Sequence, residues 1–194
     1  MLHRVFIAIN LPKEIKEELL NWQKKLPELP VRWTEEKNLH LTLAFLGNTS
    51  DKEVAHIGEL MGEVGERHQA FSMEFTKIIY GPPKQVPRMV WVIGKESPEL
   101  MELQKDVEDS LAKSGQLHFH PENRPFSVHL TLGRLLQWKF RHMNIEERPA
   151  INEEITLNLS VRSIEVMESH LKSSGSEYGI IQSFPLQAAS MGRG

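Results

Sequence analysis

The tetrapeptide HLTL occurs twice in this chain, in NLHLTLAFLG (residues 38–47) and, 89 positions later, in VHLTLGRLL (residues 128–136). Successive side chains of a β-strand point to opposite faces, so His40 and Thr42 share one face while the flanking leucines occupy the other. His129 and Thr131 follow the same pattern in the second stretch. Both stretches are therefore predicted to be strands that bury leucines and present an imidazole and a hydroxyl.

Two such strands facing each other would surround a small anionic group with two imidazoles and two hydroxyls. Imidazole titrates near neutral pH, so one ring can accept a proton as a general base while the other donates one as a general acid. The hydroxyls can donate hydrogen bonds to oxygens on which negative charge builds up. This set of groups suits hydrolysis or transesterification of a phosphate ester, and the chemistry requires no metal ion.

A structural role is the alternative interpretation of these residues. A single histidine and threonine on a half-buried strand are most often structural, because short motifs match by chance. Here the same two polar residues recur at the same spacing, each time inside an apolar strand. The repetition favours a functional site.

The composition excludes several classes of protein. The 194 residues include no cysteine, which excludes disulfides and cysteine-ligated metal sites and favours a cytoplasmic location. The apolar run from Val5 to Ile9 is too short for a signal peptide or a membrane span. A formal charge of −3 argues against duplex DNA as a partner, while an RNA end or a small phosphate-bearing substrate stays open. We expect a soluble monomer with no membrane partner.

Helical and strand-like patterns follow one another in a mixed order. Phe71 to Tyr80 and RMVWVIG (88–94) have the pattern of a hairpin, whereas Gln137 to Asn152 has no regular pattern. This order favours an α+β fold, with two mostly antiparallel sheets flanked by helices, over a parallel α/β sheet. We expect residues 1–186 to form a single bilobal domain with a central cleft, and residues 187–194 to form a flexible tail.

The segments HLTLAFLG (40–47) and HLTLGR (129–134) resemble the paired histidine-x-threonine-x (HxTx) signatures of the two-histidine phosphoesterase superfamily. Within that superfamily the chain is most similar to the RNA 2',3'-cyclic phosphodiesterases, also called the 2'-5' RNA ligase family. The resemblance covers nearly the whole chain and includes RVFIAINLP (4–12), VRWTEEKNLHLTLAFLG (31–47), PRMVWVIG (87–94), RPFSVHLTLGR (124–134) and MESHLKSSGSEYGIIQSFPL (167–186).

The resemblance implies a hydrolase of RNA processing, which opens the 2',3'-cyclic phosphate of RNA ends or related nucleotides to a 2'-phosphate without a metal or cofactor. By this analogy His40 protonates the leaving 3' oxygen as the general acid, and His129 activates water as the general base. Thr42 and Thr131 match the threonines that contact the phosphate oxygens. Joining of RNA ends through a 2'-5' bond would be a minor reverse reaction.

Arg134 and Phe45 each lie five residues after a motif histidine. The resemblance implies that Arg134 binds the phosphate and that Phe45 stacks on a base. Strict alternation would place both side chains on the face opposite the histidines, so each needs a β-bulge or a strand end to reach the site, and Gly133 favours a bulge. The family often has HPHLTL at the second motif, where Ser127 precedes Val128 here, and this departure leaves the catalytic pair intact.

Three other functions stay open. His118 and His120 lie on one side of an extended segment, a spacing that permits a metal site, although an exposed loop is the more common outcome. A metal-dependent hydrolase using these two residues and one motif histidine is one alternative. A non-catalytic module that binds RNA ends or nucleotides is a second, and a phosphodiesterase acting on 2'-5' oligonucleotides or small cyclic nucleotides is a third.

Three further features have both a substrate-binding and a structural interpretation. Arg32 and Trp33 could form a cation–π contact with substrate, but a tryptophan that anchors one lobe is the favoured interpretation. Tyr178 could touch the ligand or close the edge of the core. The basic cluster from Lys139 to His142 is typical of a solvated loop, and it could also guide an RNA 3' end.

Overall fold

The computed structural model describes residues 1–121, 124–172 and 175–188, which include nine β-strands and four α-helices. The strands are β1 (Leu2–Asn10), β2 (Val31–Trp33), β3 (His40–Ser50), β4 (Phe71–Gly81), β5 (Met89–Gly94), β6 (His129–Leu135), β7 (Asn152–Val161), β8 (Ser163–Lys172) and β9 (Gly175–Pro185). The helices are α1 (Lys13–Gln23), α2 (Asp51–Arg67), α3 (Pro98–Lys113) and α4 (Gln137–His142), with 3-10 turns at Glu36–Asn38 and Ile145–Glu147.

Two sheets organise the fold. The first sheet has the strand order β3-β1-β8-β9, the second has the order β2-β6-β5-β4-β7, and all pairings within them are antiparallel. This architecture confirms the predicted α+β class with two antiparallel sheets. The two HLTL strands belong to different sheets, β3 to the first and β6 to the second, and these strands contact each other.

Local sequence signals account for the helix starts. Ser50 and Glu53 form a capping box at the start of α2, in which each side chain satisfies a backbone N–H of the other residue. At α3 the Ser97 hydroxyl accepts a hydrogen bond from the backbone of Leu100, with Pro98 in the first turn. The apolar stripe of each helix is buried, which fixes the helices against the sheets.

The leucines of the two motifs are the inner layer of the protein. Leu39, Leu41, Leu43, Leu130 and Leu132 are at most 3% exposed, and all belong to one hydrophobic cluster. Burial of each such side chain stabilises the fold by roughly 1.5–3 kcal/mol. The buried leucines therefore hold β3 and β6 rigidly, so that their opposite faces can carry the polar residues.

The structure differs from the sequence-based expectation in two segments. The sequence predicts that the first motif strand ends at Gly47, but β3 continues to Ser50, with Gly47 at φ 79° beside the unpaired Leu46. The segment after Gln137 begins with α4 instead of an irregular loop. The helix is held by tertiary contacts, since Phe140 is buried against Tyr80 with ring centroids 5.5 Å apart.

Most of the predicted tail (187–194) lies outside the described residues, and the Gln187 backbone hydrogen-bonds to His68 and Ala70. Within the ranges given above, no helix combines the length and apolarity needed to cross a membrane.

Candidate active site

The two motif histidines make the same backbone contact. His40 Nδ1 lies 2.8 Å from the carbonyl oxygen of Asn38, and His129 Nδ1 lies 2.8 Å from that of Ser127. A carbonyl oxygen only accepts hydrogen bonds, so Nδ1 carries the proton in each ring. Nε2 is therefore the atom of both rings that can exchange a proton with a substrate.

A bulge follows the HxT sequence in both strands. In β3 the pairing with β1 skips Leu43, and in β6 the pairing with β5 skips Leu132. Each skipped residue lies three positions after the histidine, and each is followed by a second buried residue, Ala44 or Gly133. One extra residue reverses the alternation of faces beyond it.

The bulges bring Phe45 and Arg134 to the same face as the histidines, as their predicted roles require. Phe45 is 62% exposed, and its ring centroid lies 6.0 Å from that of Phe6, which in turn contacts His40. The Arg134 guanidinium is exposed and reaches to 4.0 Å from the sulfur of Met89, which also lies 3.8 Å from the Thr131 hydroxyl.

A buried glutamine donates to the carbonyl of each skipped leucine, and Leu132 O also accepts a hydrogen bond from the Thr34 backbone at 2.9 Å. Gln104 of α3 donates to Leu43 O at 3.4 Å, and Gln23 of α1 donates to Leu132 O at 3.2 Å. The two glutamines are 6% and 7% exposed. Buried backbone carbonyls without a partner are costly, so these amides stabilise the bulged conformation.

His40 lies in an aromatic niche of the first sheet. Its ring packs against Phe6 at 4.9 Å and, edge to face, against Tyr178 at 5.1 Å between centroids. Asn38 fixes this niche, because its buried amide donates to Ser176 O at 2.8 Å and its side-chain oxygen accepts from the Tyr178 backbone at 3.0 Å. One residue therefore holds both the His40 ring, through its carbonyl, and the tyrosine beside it.

The niche makes His40 hard to protonate. Burial lowers the pKa of His40 to about 4, against which the hydrogen bond to Asn38 acts, and the positive charge of Lys16 lowers the pKa further. Lys16 is itself half-buried, and this burial lowers its own pKa. At neutral pH the His40 ring is thus uncharged when no anion is bound, with its lone pair on Nε2.

His129 has a different support. Its ring stacks on Trp91, with centroids 3.9 Å apart and an interplanar angle of 32°. Trp91 is 8% exposed and forms a fixed platform in β5. At Gly133 a Cβ atom would come within 2.6 Å of Val31 and 2.7 Å of Trp33, so only glycine allows β2 to pack this closely against the bulge.

Some of the remaining candidates lie beside the motif residues, and the others lie on α4. Thr42 and Thr131 are half-buried beside their histidines, and Arg32 is the cross-strand neighbour of Arg134 in the β2–β6 pair. Tyr178 contacts His40 directly, as described above. Lys139 and Arg141 lie on α4, beyond the end of β6, and are exposed.

The metal-site alternative finds no support in the side-chain arrangement. His118 and His120 are both exposed. In the described part of the chain, no group of three or more histidine, aspartate or glutamate side chains is placed to hold a metal ion.

Trp33 packs edge to face on Trp22, with centroids 6.1 Å apart, and this confirms its interpretation as an anchor.

Sequence reasoning did not identify Asn38, Gln23, Gln104, Phe6 or Trp91 as parts of this site. A signal was present for the glutamines, because each lies four residues after a buried leucine, Leu19 or Leu100, and so faces the core of its helix. A polar residue on a core-facing stripe needs a buried partner. The partner itself, a carbonyl released by a bulge in another element, is invisible in a local pattern.

Comparisons with known proteins identify the family of the chain. The profile of a family described as "LigT like Phosphoesterase" matches residues 9–91. An RNA 2',3'-cyclic phosphodiesterase of Archaeoglobus fulgidus is 30% identical over 182 residues, covering 93% of this chain and 99% of the relative.

Solved structures show the same fold. TT0787 of Thermus thermophilus superposes with a TM-score of 0.81 at 23% identity, covering 95% of this chain and 98% of its own. Escherichia coli LigT in complex with 3'-AMP superposes with a TM-score of 0.73 at 26% identity, covering 96% of this chain and 99% of its own. Since both the fold and nearly the full length of a curated relative are matched, the chain belongs to the LigT-like phosphoesterase family of enzymes, together with RNA 2',3'-cyclic phosphodiesterases.

Proposed function

We propose that this enzyme hydrolyses the 2',3'-cyclic phosphate at the 3' end of RNA to a 2'-phosphate, with His40 as general acid and His129 as general base and without a metal ion. The observation that carries the proposal is the matched pair of histidines, each with Nδ1 held by a backbone carbonyl, which makes Nε2 the proton-exchanging atom of both rings. The names of the relatives, and the binding of 3'-AMP by one of the matched structures, support a nucleotide substrate of this type.

The reaction needs one proton acceptor and one proton donor on opposite sides of phosphorus. His129 Nε2 takes a proton from water as the water oxygen bonds to phosphorus, and the bond from phosphorus to the 3' oxygen breaks. His40 Nε2 gives its proton to the departing 3' oxygen. The products are a 2'-phosphate and a 3'-hydroxyl, and the two rings have exchanged protonation states.

The acid role requires His40 to be protonated in the complex. The pKa of about 4 belongs to the free enzyme, where burial disfavours the charged ring. A bound phosphodiester places a negative charge beside the ring, and a nearby opposite charge raises the pKa of a histidine. The substrate therefore helps to create the acid that its own cleavage requires.

Four side chains bind the substrate in this proposal. The hydroxyls of Thr42 and Thr131 and the guanidinium of Arg134 donate hydrogen bonds to the non-bridging phosphate oxygens, whose charge grows in the transition state. Phe45 stacks on the terminal base, which suits its exposed position beside Phe6. The threonines share the face of the histidines by strand alternation, and the two bulges bring Arg134 and Phe45 to the same face, which supports the assignment.

The same arrangement permits ligation as a minor activity. A 2',3'-cyclic end can be attacked by the 5'-hydroxyl of a second RNA instead of by water, with the 3' oxygen still leaving. The result is a 2'-5' linkage. Water is present in far higher concentration, so hydrolysis dominates.

The test is incubation with an RNA that ends in a 2',3'-cyclic phosphate, in the presence of a chelator, followed by identification of the position of the product phosphate. We expect complete conversion to the 2'-phosphate, and loss of conversion in the His40→Ala and His129→Ala variants. His118→Ala is the matched control, because it removes an exposed histidine outside the site, and it should retain full activity. A 3'-phosphate product, or an absolute requirement for a metal, would overturn the proposal.

A further inference from the structure

Two segments of the second sheet contain basic residues and no acidic ones. Residues 75–95 and residues 124–145 include no aspartate or glutamate, although the whole chain carries a formal charge of −3. The first segment contains β5 and the loop before it, and the second contains β6 and α4. The catalytic His129 and the phosphate-binding candidate Arg134 lie in the second segment.

The fold brings the two segments together at the end of β6. Arg134 pairs with Met89 across the β5–β6 ladder, and the Leu135 backbone donates to Arg88 O at 2.9 Å. The side chain of Gln137, at the start of α4, donates to Pro87 O at 3.0 Å. The loop before β5 and the first turn of α4 are therefore direct neighbours, and both adjoin the strand that carries the site.

The exposed side chains of these neighbouring segments include Lys84, Arg88, Arg134, Trp138, Lys139 and Arg141, which together we name the basic surface. Within the residues that the structure describes, none of its cations forms an ion pair with a carboxylate. In contrast, Lys77 of β4 is neutralised by Glu154 at 2.8 Å. The positive charge of the basic surface is thus available to an external anion.

An exposed tryptophan lies among these charges. Trp138 is 67% exposed, and the Lys139 ammonium lies 5.3 Å from the centroid of its ring. The buried anchor of α4 is Phe140, so most of the Trp138 indole faces solvent and not the core. Cations that track a phosphate backbone, together with an aromatic ring on which a base can stack, are the usual components of a single-strand binding groove.

We propose that the basic surface binds the RNA strand on the 5' side of the cyclic phosphate, so that the preferred substrate is an oligonucleotide and not a mononucleotide. This inference rests on the function proposed above. A cyclic phosphate ends the strand, so the remainder of an RNA substrate leaves the site in only one chemical direction. The basic surface begins at Arg134, which contacts the phosphate in the proposed function. It continues onto α4, where Trp138 lies four residues after Arg134 in the sequence.

The charge pattern favours RNA over an acidic protein segment as the occupant. Stacking on Trp138 requires a planar partner, which every nucleotide supplies and which an acidic peptide supplies rarely. Continuity with the phosphate site also requires that the occupant be joined to the substrate itself. Duplex binding is disfavoured, because it would require a broader cationic surface than a chain of this net charge provides.

The experiment compares two substrates, a mononucleoside 2',3'-cyclic phosphate and an oligoribonucleotide of about ten nucleotides that ends in the same cyclic nucleotide. The chosen length lies within the roughly 4–16 nucleotides typical of single-strand sites. We expect the wild-type enzyme to have a kcat/KM at least about tenfold higher for the oligonucleotide. This advantage should decrease as salt is added. For each phosphate contact, log kcat/KM should fall by roughly 0.7 for each unit increase in log salt concentration.

Two variants locate the contact. Trp138→Ala should raise KM for the oligonucleotide at least about fivefold, as expected for loss of one stacked base, and should leave the mononucleotide unaffected. Trp138→Phe should restore most of the loss. The double variant Lys139→Gln with Arg141→Gln should reduce the salt slope for the oligonucleotide only.

The matched controls are Leu2→Ala and Lys52→Gln. Leu2 is an equally exposed apolar side chain at the end of β1 farthest from His40, and Lys52 is an exposed cation of α2. Neither should change the preference for the longer substrate. Unchanged turnover of the mononucleotide in each variant also verifies that the fold is intact.

The outcomes separate this inference from the proposed function. Hydrolysis of the mononucleotide with no preference for length, or a Trp138→Ala effect of equal size on both substrates, would overturn the basic surface as an RNA site and leave the proposed function standing. Failure of the wild-type enzyme to open either cyclic phosphate would overturn both.

Discussion

The strands β3 and β6 have the same backbone arrangement around their histidines, but different side chains surround the two rings. Each has an HLTL sequence, a histidine held through Nδ1 by the carbonyl two residues earlier, a skipped leucine, and a buried glutamine on the carbonyl of that leucine. The first sheet packs Phe6 and Tyr178 against His40, with Phe45 beside Phe6. In the second sheet the His129 ring stacks on Trp91, and Arg134 and other cations are exposed farther along the chain.

The difference divides the work of one site between its two halves. The aromatic half keeps the His40 imidazole uncharged in the free enzyme. In the functions proposed above, this half also binds a nucleobase, and the cationic half binds the phosphate and the strand attached to it. The same backbone arrangement therefore occurs in both halves of the site, while the side chains around it differ in chemistry. The predictions below test that division, beginning with the change expected to be largest.

Removal of either imidazole should have the largest effect. We expect His40→Ala and His129→Ala each to reduce kcat by roughly 10²- to 10⁴-fold, the usual value of one acid or base in proton transfer. KM should change much less, because the threonines and Arg134 still bind the phosphate. Steady-state kinetics on a cyclic mononucleotide measures both values, and a loss below about tenfold in either variant would contradict the paired roles.

Truncation of the two side chains brought in by the bulges should separate phosphate binding from base binding. Arg134→Ala should reduce kcat/KM by roughly 10- to 150-fold, because hydrogen bonds to charged groups contribute about 1.5–3 kcal/mol. Phe45→Ala should raise KM by about fivefold to tenfold, since its ring is largely exposed.

A substrate lacking the base distinguishes the two residues. With a ribose 2',3'-cyclic phosphate, the Phe45→Ala effect should vanish and the Arg134→Ala effect should persist. Equal losses on both substrates for Phe45→Ala would show that it acts through the fold and not by stacking.

Loss of the buried glutamines should weaken the bulges. Gln23→Leu and Gln104→Leu should each lower the free energy of unfolding by about 1–3 kcal/mol, because a buried carbonyl loses a donor. In Gln23→Leu the Leu132 carbonyl keeps its hydrogen bond from the Thr34 backbone N–H at 2.9 Å, while the Thr34 carbonyl loses the Gln23 donor at 3.0 Å. The exposed Gln116→Leu serves as control and should stay within about 0.5 kcal/mol of wild type.

In kinetic measurements, each of the same two variants should affect only its own half of the site. Gln23→Leu should reduce the contribution of Arg134, and Gln104→Leu that of Phe45, each seen as a smaller effect of the second truncation in a double-mutant cycle. Additive effects would mean that the glutamines stabilise the fold without positioning these side chains.

The protonation of His40 should depend on the ligand. In the free enzyme, NMR titration of the His40 ring should give a pKa of about 4, because burial and the charge of Lys16 oppose protonation. Bound inorganic phosphate should raise this pKa, and Lys16→Met should raise it in the free enzyme. A His40 pKa that does not respond to phosphate would contradict its role as the acid.

The same lowered pKa has a consequence for stability. An unfolded histidine takes up its proton near pH 6.5, whereas folded His40 takes it up only at a pH of about 4. Between these values the unfolded state binds more protons, so the His40 contribution makes the free energy of unfolding fall as the pH falls from about 6.5 to about 4. His40→Gln should remove this part of the pH dependence in chemical denaturation.

The sequence predicted the parts of the site that repeat. The spacing of His40 and Thr42, and of His129 and Thr131, predicted their strands and shared faces, and the offset of Phe45 and Arg134 predicted that a bulge was needed. The structure shows the bulges one residue before Ala44 and Gly133. The chemical roles of these residues stay predictions until the variants above are measured.

The support of the site could not be predicted, because it comes from elements distant in sequence. Asn38 holds His40 only when Ser176 and Tyr178 of β9 lie beside it, and Gln104 reaches Leu43 only across the packing of α3 on β3. The formation of α4 likewise depends on Tyr80 of β4. Local periodicity carries no record of such contacts.

The most direct test of the paired acid and base uses a substrate whose bridging 3' oxygen is replaced by sulfur. A thiolate, whose conjugate thiol has a pKa of roughly 8.5 in its free form, leaves without being protonated, so the general acid becomes unnecessary. We predict that His40→Ala regains most of its lost rate on this substrate while His129→Ala stays as impaired as on the oxygen substrate. Equal impairment of both variants on both substrates, or recovery by His129→Ala instead, would contradict the account.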